Sequence, residues 1–218
     1  MDKFVELEEE KKRGPGVYIL SLFLILLLVL MVFPQYSVKV DPQPEKSPTF
    51  EDVFFFEKNY TEVTMNLKTT REFNDFVVPE NPIIKNTANR IVSTACSNSE
   101  KVCHAKAIYY FVRDNFDYIS DPVNFDYVEM PQDFMISGGG DCESGTLLMA
   151  NLMEAVGIDS QLVFIPGHAM LRIHLPEALS KYKKDISWVY LDWTCNSCEF
   201  GEIPRTSIDA YMTFLEVN

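Results

Sequence analysis

Positive charge is scarce in this sequence. The 218 residues include 19 lysines and arginines against 32 aspartates and glutamates, which gives a formal net charge of −13. Because such a chain repels phosphate backbones, the composition argues against nucleic acid as a partner. Internal repeats and low-complexity tracts are also lacking. With 47% hydrophobic residues, the length fits one globular domain plus an additional segment, and it is too short for two ordinary domains.

One segment contains no charge, no glycine and no proline. It is Val17–Phe33, a run of 17 residues. At 1.5 Å per residue, such a helix covers most of a hydrocarbon core of roughly 30 Å. The sequence after it lacks a small-residue cleavage site, so an uncleaved anchor at residues 17–34 is favoured over a cleaved signal peptide.

Basic residues also predict the orientation of this anchor. The cluster Lys11–Arg13 precedes the span, and only scattered lysines follow it. The positive-inside rule therefore predicts a cytoplasmic tail at residues 1–16 and places the rest of the chain outside. We expect a single-pass protein of the cell membrane, in contact with the lipid bilayer. An extended, proline-rich linker at 35–50 would then lead to one globular domain at 51–218.

Cysteine is infrequent, and the five cysteines fall in an uneven pattern: Cys96, Cys103, Cys142, Cys195 and Cys198. Outside the cytoplasm, two local disulfides would pair four of them and leave Cys142 as the odd thiol. A zinc site built from the other four thiolates is a less favoured alternative. A redox C-x-x-C motif at 195–198 is the least favoured, because such motifs normally open a helix early in a βαβ unit.

Helical patterns come first along the chain and strand patterns come later, which predicts the α+β class. The predicted helices begin at Pro82, Lys101 and Cys142, and Gly157 stops the third. The predicted strands and a closing helix occupy residues 160–165, 168–175, 188–193 and 207–216.

Cys142 stands where a glycine-rich loop, "GGGDC", meets the start of a helix. Free backbone N–H groups and the macrodipole at a helix N-terminus favour thiolate, and the pKa of such cysteines falls to roughly 3.5–7.5. The glycines at 138–140 would let the backbone approach a substrate, and the N–H groups could stabilise an oxyanion. The alternative is a buried cysteine that only fills space.

A nucleophilic cysteine needs a base, and the chain has only three histidines. His168 follows a Pro-Gly turn at the start of a strand, whereas His104 lies inside a helix and His174 lies at the far end of the strand. Asp192 lies within an apolar strand, "YLDW", where a buried carboxylate needs a partner such as an imidazole. The alternatives are a hydrogen-bonded turn histidine and an edge-strand aspartate that faces water.

Three ordered blocks, "GGGDCESGTLLMANLMEAVGI", "PGHAMLRI" and "YLDWT", resemble the transglutaminase-like, or papain-like, cysteine enzyme superfamily. The resemblance covers about residues 85 to 195. It implies a papain-like α+β core with helices packed on an antiparallel sheet. It also implies Cys142 as nucleophile, His168 as base and then acid, and Asp192 as its orienting group. Many relatives carry an acidic residue where this chain has Ser144, which leaves the substrate in doubt.

The activity implied by this resemblance is acyl transfer through a thioester, without a metal or another cofactor. The substrate would be a protein or peptide, attacked at a peptide or side-chain amide bond. Hydrolysis by a peptidase or amidase is the leading expectation for a microbial member. Protein crosslinking and a non-catalytic binding module of the same fold are the alternatives.

Overall fold

The structure is a computed structural model that describes residues 14–54, 64–65, 70–122 and 127–217. The chain divides into two compact units, Met1–Val40 and Asp41–Asn218. The basic cluster Lys11–Arg13, on which the predicted orientation depends, lies outside the described residues.

The first unit is described from residue 14 and holds one long helix, α1 (Pro15–Val40). Its stretch Pro15–Phe33 is long and apolar enough to cross a membrane, and its side chains are exposed. A membrane anchor and a signal sequence both fit these properties. The helix continues through Pro34 and ends before the Asp41–Pro42 pair, where the residue preceding proline disfavours helical geometry. Residues 35–40, which were expected in an extended linker, are therefore helical.

The residues that follow α1 belong to the second unit and make polar contacts within it. The carboxylate of Asp41 accepts hydrogen bonds from the ammonium group of Lys106 and from the hydroxyl of Tyr182 at 2.8 Å. Lys181 adds an ion pair at 3.0 Å. Because the Lys106 side chain is only 1% exposed, its charge needs this counter-ion. The segment from residue 41 is therefore part of the folded unit.

The second unit is an α+β domain in which the longer helices form a core with one face of a sheet. Its described helices are α2 (Phe50–Val53), α3 (Pro82–Ala95), α4 (Lys101–Asn115), α5 (Pro131–Ser137), α6 (Cys142–Ala155) and α7 (Arg205–Ile208). Two 3-10 helices cover Thr70–Phe76 and Ser180–Tyr182. The strands are β1 (Thr64–Met65), β2 (Asp117–Tyr118), β3 (Val128–Glu129), β4 (Gly139–Gly140), β5 (Ser160–Ile165), β6 (His168–His174), β7 (Trp188–Leu191) and β8 (Thr213–Glu216).

The main sheet has the order β7-β6-β5-β8, and every pairing in it is antiparallel. Leu162, Leu171 and Leu191 on one face join the main core with α3, α4 and α6. Val163 and Met170 alternate to the other face, where a smaller apolar cluster covers them. The helix α6 packs directly on β6 and β5. This packing brings the start of α6 to the ends of the strands.

The predicted helices at 82, 101 and 142 and the three predicted strands are confirmed. The predicted closing helix at 207–216 is wrong. Arg205–Ile208 forms one short helix, and Thr213–Glu216 forms β8, with Phe214 opposite Val163 of β5. Thr213 and Phe214 favour strand geometry, and the edge of β5 supplies backbone partners that a local sequence pattern does not reveal.

The favoured pairing of the cysteines is also confirmed. Disulfides join Cys96 to Cys103 and Cys195 to Cys198, and Cys142 is a free, buried cysteine. The four paired sulfur atoms are therefore not thiolates, and the zinc alternative does not fit this arrangement.

Candidate functional site

The helix α6 begins where a short strand turns back from α5. Gly138 ends α5 in the left-handed conformation, with φ of 81°, and β4 then pairs in parallel with β2. A Cβ on Gly139 would lie 2.4 Å from the carbonyl oxygen of Asp117. Gly138 and Gly139 are therefore explained by the local backbone. From the sequence, the glycines were instead expected to let the backbone approach a substrate. Asp141 then caps α6 by accepting a hydrogen bond from the N–H of Ser144 at 2.9 Å.

Cys142 is the first residue of α6 and is 6% exposed. Its thiol donates a hydrogen bond to Oε2 of Glu143 at 3.0 Å. The backbone N–H of Ala169, the residue after His168, donates to the same sulfur. The sulfur of α6 therefore touches the first turn of its own helix and the beginning of β6.

The pKa of Cys142 departs from the direction expected at a helix start. Burial raises the pKa of this thiol, and the adjacent Glu143 carboxylate raises it further. The Ala169 N–H acts in the opposite direction, with a smaller effect. The thiol is therefore protonated at neutral pH in this arrangement, and a base must remove its proton before it can attack.

His168, the residue before Ala169, forms a close pair with Asp192. His168 Nε2 lies 2.8 Å from Oδ2 of Asp192. The Asp192 carboxylate is 0% exposed, whereas the His168 side chain is 21% exposed. The hydrogen bond to Asp192 raises the pKa of His168, with burial opposing it. Since Nε2 is engaged by Asp192, Nδ1 is the ring nitrogen that remains for proton exchange with a thiol.

Trp193 follows the end of β7 by two residues and connects it to the start of α6. Its Nε1 donates to the carbonyl oxygen of Cys142 at 3.2 Å. A Cβ at Gly145 would lie 2.2 Å from the same indole, so only glycine permits this approach. The sequence pattern did not predict these contacts of Trp193 and Glu143 with Cys142. The position of a glycine one turn after Cys142 was the available signal for close packing of α6, but it did not name the partner.

Tyr118 extends the site toward solvent. Its ring is 54% exposed and packs against Trp193 with ring centroids 6.3 Å apart. Burial, and the charges that Cys142, Asp141 and Glu143 carry when ionised, raise the pKa of Tyr118. It belongs to an aromatic-rich stretch between Phe116 and Phe134, of which residues 123–126 lie outside the described residues.

The other two histidines lie elsewhere. His104 is on α4, where burial lowers its pKa. His174 is at the far end of β6, and its ring packs against Trp188 with centroids 5.2 Å apart. Of the three histidines, His168 is the one paired with Asp192.

The thiol and two neighbouring carboxylates are close enough to share a cation. The ligand atoms of Asp141, Cys142 and Glu143 lie within 4.8 Å of one another. The hydrogen bond from the thiol to Glu143 already accounts for part of this closeness. Burial and the neighbouring Glu143 raise the pKa of Asp141 to about 7.

The chain is similar to Legionella pneumophila LapG, with 16% sequence identity and a TM-score of 0.42 over 67% of this chain and 80% of that chain. No match was found among curated protein sequences. The family model of the transglutaminase-like superfamily matches residues 85–193, half of the 218 residues. That range runs from α3 to Trp193 and contains Cys142, His168 and Asp192, and the chain belongs to the transglutaminase-like superfamily.

Proposed function

We propose that this chain is a cysteine-dependent acyl-transfer enzyme that hydrolyses peptide or side-chain amide bonds. Cys142 is the nucleophile, His168 is the base and then the acid, and Asp192 orients His168. The observation that carries the proposal is the 2.8 Å hydrogen bond between His168 and the buried carboxylate of Asp192, one residue before the Ala169 N–H that donates to the free thiol of Cys142. Membership of the superfamily supports the same reaction class.

The first half of the reaction forms a thioester. His168 Nδ1 accepts the proton of the Cys142 thiol while Asp192 accepts a hydrogen bond from Nε2–H and stabilises the imidazolium. The sulfur attacks the carbonyl carbon of the amide, and the carbonyl oxygen becomes an oxyanion. The backbone N–H of Cys142, at the start of α6, is a donor for that oxygen.

The second half releases both products. The imidazolium of His168 gives its proton to the leaving nitrogen, the C–N bond breaks, and a thioester to Cys142 remains. A water molecule, deprotonated by His168, then attacks the thioester carbon and regenerates the thiol. If a primary amine replaces water, the same step joins two molecules.

Replacement of Cys142 by alanine tests the nucleophile. With a quenched fluorescent peptide library, we expect turnover by the native chain and a loss of about 10⁴-fold or more in Cys142→Ala. Undiminished turnover in that variant would refute the assignment. His168→Gln should show a comparable loss, whereas the matched control His174→Gln, at the other end of the same strand, should retain activity.

Whether water or an amine accepts the acyl group is tested by incubating the chain with a glutamine-containing protein and a fluorescent primary amine such as dansylcadaverine. The hydrolase proposal predicts release of ammonia or peptide without incorporation of the fluorophore. Covalent incorporation that depends on Cys142 would instead assign a crosslinking transglutaminase.

A binding module without catalysis is the second candidate, and one observation favours it. The Cys142 thiol is buried and bonded to Glu143, which keeps it protonated. Iodoacetamide at pH 6 separates the candidates, because only a thiol activated by His168 reacts faster than free cysteine. Labelling no faster than free cysteine, together with no turnover, would favour the binding module.

We also propose that α1 anchors the chain in the cell membrane, with residues 1–16 in the cytoplasm and the domain outside. The apolar stretch Pro15–Phe33 and the two disulfides support this topology. Protease added to intact cells should degrade the domain and leave a small membrane-bound fragment. A mature chain that lacks residues 14–33 by mass spectrometry would assign a cleaved signal sequence instead.

A further inference from the structure

The buried carboxylate of Asp192 receives hydrogen bonds from two other residues. Oδ2 faces Nε2 of His168 at 2.8 Å. Oδ1 accepts from Thr194 twice, from its backbone N–H at 3.1 Å and from its hydroxyl at 2.7 Å. A carboxylate without solvent contact depends on such partners, because each lost hydrogen bond leaves a buried acceptor unsatisfied.

We propose that Thr194 is a positioning residue that sets the plane of the Asp192 carboxylate and so aims His168 at the nucleophile. The terminal torsion of an aspartate side chain is broad, so rotamer preference alone does not fix that plane. Two donors on Oδ1 do fix it, since they come from one residue at a defined place. Oδ2 is then directed at His168 Nε2, which leaves Nδ1 for the thiol.

Thr194 is itself held by a short, closed turn. The N–H of Cys195 donates to the carbonyl oxygen of Asp192 at 3.4 Å, and the Cys195–Cys198 disulfide closes the residues that follow. From α4, the Tyr109 hydroxyl and an Arg113 N–H donate to the carbonyl oxygen of Cys198 at 3.0 and 2.7 Å. A hydroxyl on such a turn keeps its direction without a large entropic cost when it binds Oδ1.

The effect on catalysis rests on the proposed function, but the effect on His168 does not. Replacing Thr194 by valine keeps the branched shape and removes only the hydroxyl. The Asp192 carboxylate then keeps a single donor on Oδ1 and samples other planes. The Nε2–H bond of His168 opens more often, and the ring spends less time with Nδ1 directed toward Cys142.

The experiment compares native chain, Thr194→Val and Thr194→Ser, each full length in detergent micelles. With nitrogen-15 histidine, the chain gives signals from only three imidazoles, and His168→Gln assigns the one of interest. We expect exchange of the His168 Nε2 proton with water to be about tenfold faster in Thr194→Val and near native in Thr194→Ser. In turnover, we expect a fall of about tenfold in kcat with little change in KM for valine, and recovery with serine.

Two results would overturn the proposal. The first is native proton exchange at His168 in Thr194→Val. The second is a loss of thermal stability and of kcat in Thr194→Val that Thr194→Ser does not restore, which would assign Thr194 a structural role alone. If no variant, including native, turns over any substrate but the valine variant shows faster exchange, the positioning role stands and the proposed function fails.

Discussion

At the scale of single residues, the Cys142 thiol has two candidate proton acceptors, Glu143 and His168. Glu143 accepts its hydrogen bond in this structure, and His168 precedes the Ala169 N–H that donates to the sulfur. A nearby carboxylate disfavours thiolate, whereas an imidazolium favours it. Tyr118, Asp141 and Glu143 interact electrostatically with the sulfur, and His168 interacts with Asp192 and Glu143. The balance among them determines the reactivity of the thiol.

Neutralising Glu143 should therefore activate the thiol. In Glu143→Gln, the repulsion between carboxylate and thiolate is removed, and we expect alkylation of Cys142 by iodoacetamide at pH 7 to be about tenfold faster, equivalent to one pKa unit. The matched control is Glu177→Gln, an exposed residue after β6. Equal rates in native chain and Glu143→Gln would show that Glu143 does not hold the thiol in its neutral form.

The pKa of His168 predicts how turnover depends on pH. Because Asp192 raises this pKa above 6.5, neutral His168, which accepts the thiol proton, becomes available only as pH rises through the raised value. In Asp192→Asn, the acid limb of the pH–rate profile should move to lower pH while the maximal rate falls. An acid limb at the same pH in the native chain and in Asp192→Asn would contradict the pairing of His168 with Asp192.

The same pair contributes to stability with a defined sign. A histidine with a raised folded pKa stabilises the fold below its unfolded pKa of about 6.5, and this contribution is lost as pH rises through the folded value. Asp141 also titrates near neutral pH. Because the acid limb of the pH–rate profile is assigned to His168, that limb should stay at the same pH in an Asp141→Asn variant.

At the scale of elements, the start of α6 is both a helix cap and a cluster of acids. Asp141 caps the helix through the N–H of Ser144, and Gly145 lets α6 approach Trp193. The main helices and strands were predictable because their apolar periodicity is strong. The two-residue strands β2 and β4 were not, since two residues carry no period and their pairing is set by tertiary packing.

Two substitutions of Asp141 distinguish the contribution of its capping hydrogen bond from the contribution of its charge. Its folded pKa of about 7 lies above the unfolded value of 3.8, so its ionisation destabilises the fold as pH rises from about 4 to 7. Asp141→Asn keeps the cap acceptor and should raise stability at pH 8 by about 1–4 kcal/mol, and by less at pH 5. Asp141→Ala should lose about 1 kcal/mol of capping relative to Asp141→Asn.

Thermal unfolding of the full chain in micelles measures these differences. A stability gain for Asp141→Asn that is the same at pH 5 and pH 8 would show that Asp141 is not buried in its ionised form at the higher pH.

At the scale of the whole molecule, distant segments meet in ways that no local pattern encodes. The segment at 41–49 had the proline and charge content of a linker, yet Asp41 neutralises Lys106 and Lys181, more than sixty residues further along the chain. By contrast, the three residues of the proposed triad were named from sequence because each stands in a short motif with a chemical meaning. Glu143 and Thr194 were not, since their bonds to Cys142 and Asp192 depend on side-chain orientation, and Trp193 was not, since it bonds to Cys142 across the fold.

The Asp41–Lys106 pair should make a large contribution to stability. In Asp41→Asn, the buried ammonium group of Lys106 loses its counter-charge, and we expect a loss of about 3–5 kcal/mol in unfolding free energy. The matched control is Glu80→Gln, which removes an exposed ion pair with Lys85 and should cost less than about 1 kcal/mol. Similar losses in both variants would mean that the Asp41 pair is not effectively buried.

The central claim, that His168 activates Cys142, is tested most directly by the rate of Cys142 alkylation in the full chain at pH 7. Iodoacetamide labelling followed by mass spectrometry measures it without knowledge of the substrate. The account predicts that His168→Gln slows labelling at least about tenfold, because the thiol loses its proton acceptor, and that His174→Gln labels at the native rate. Equal labelling in native chain and His168→Gln would contradict it.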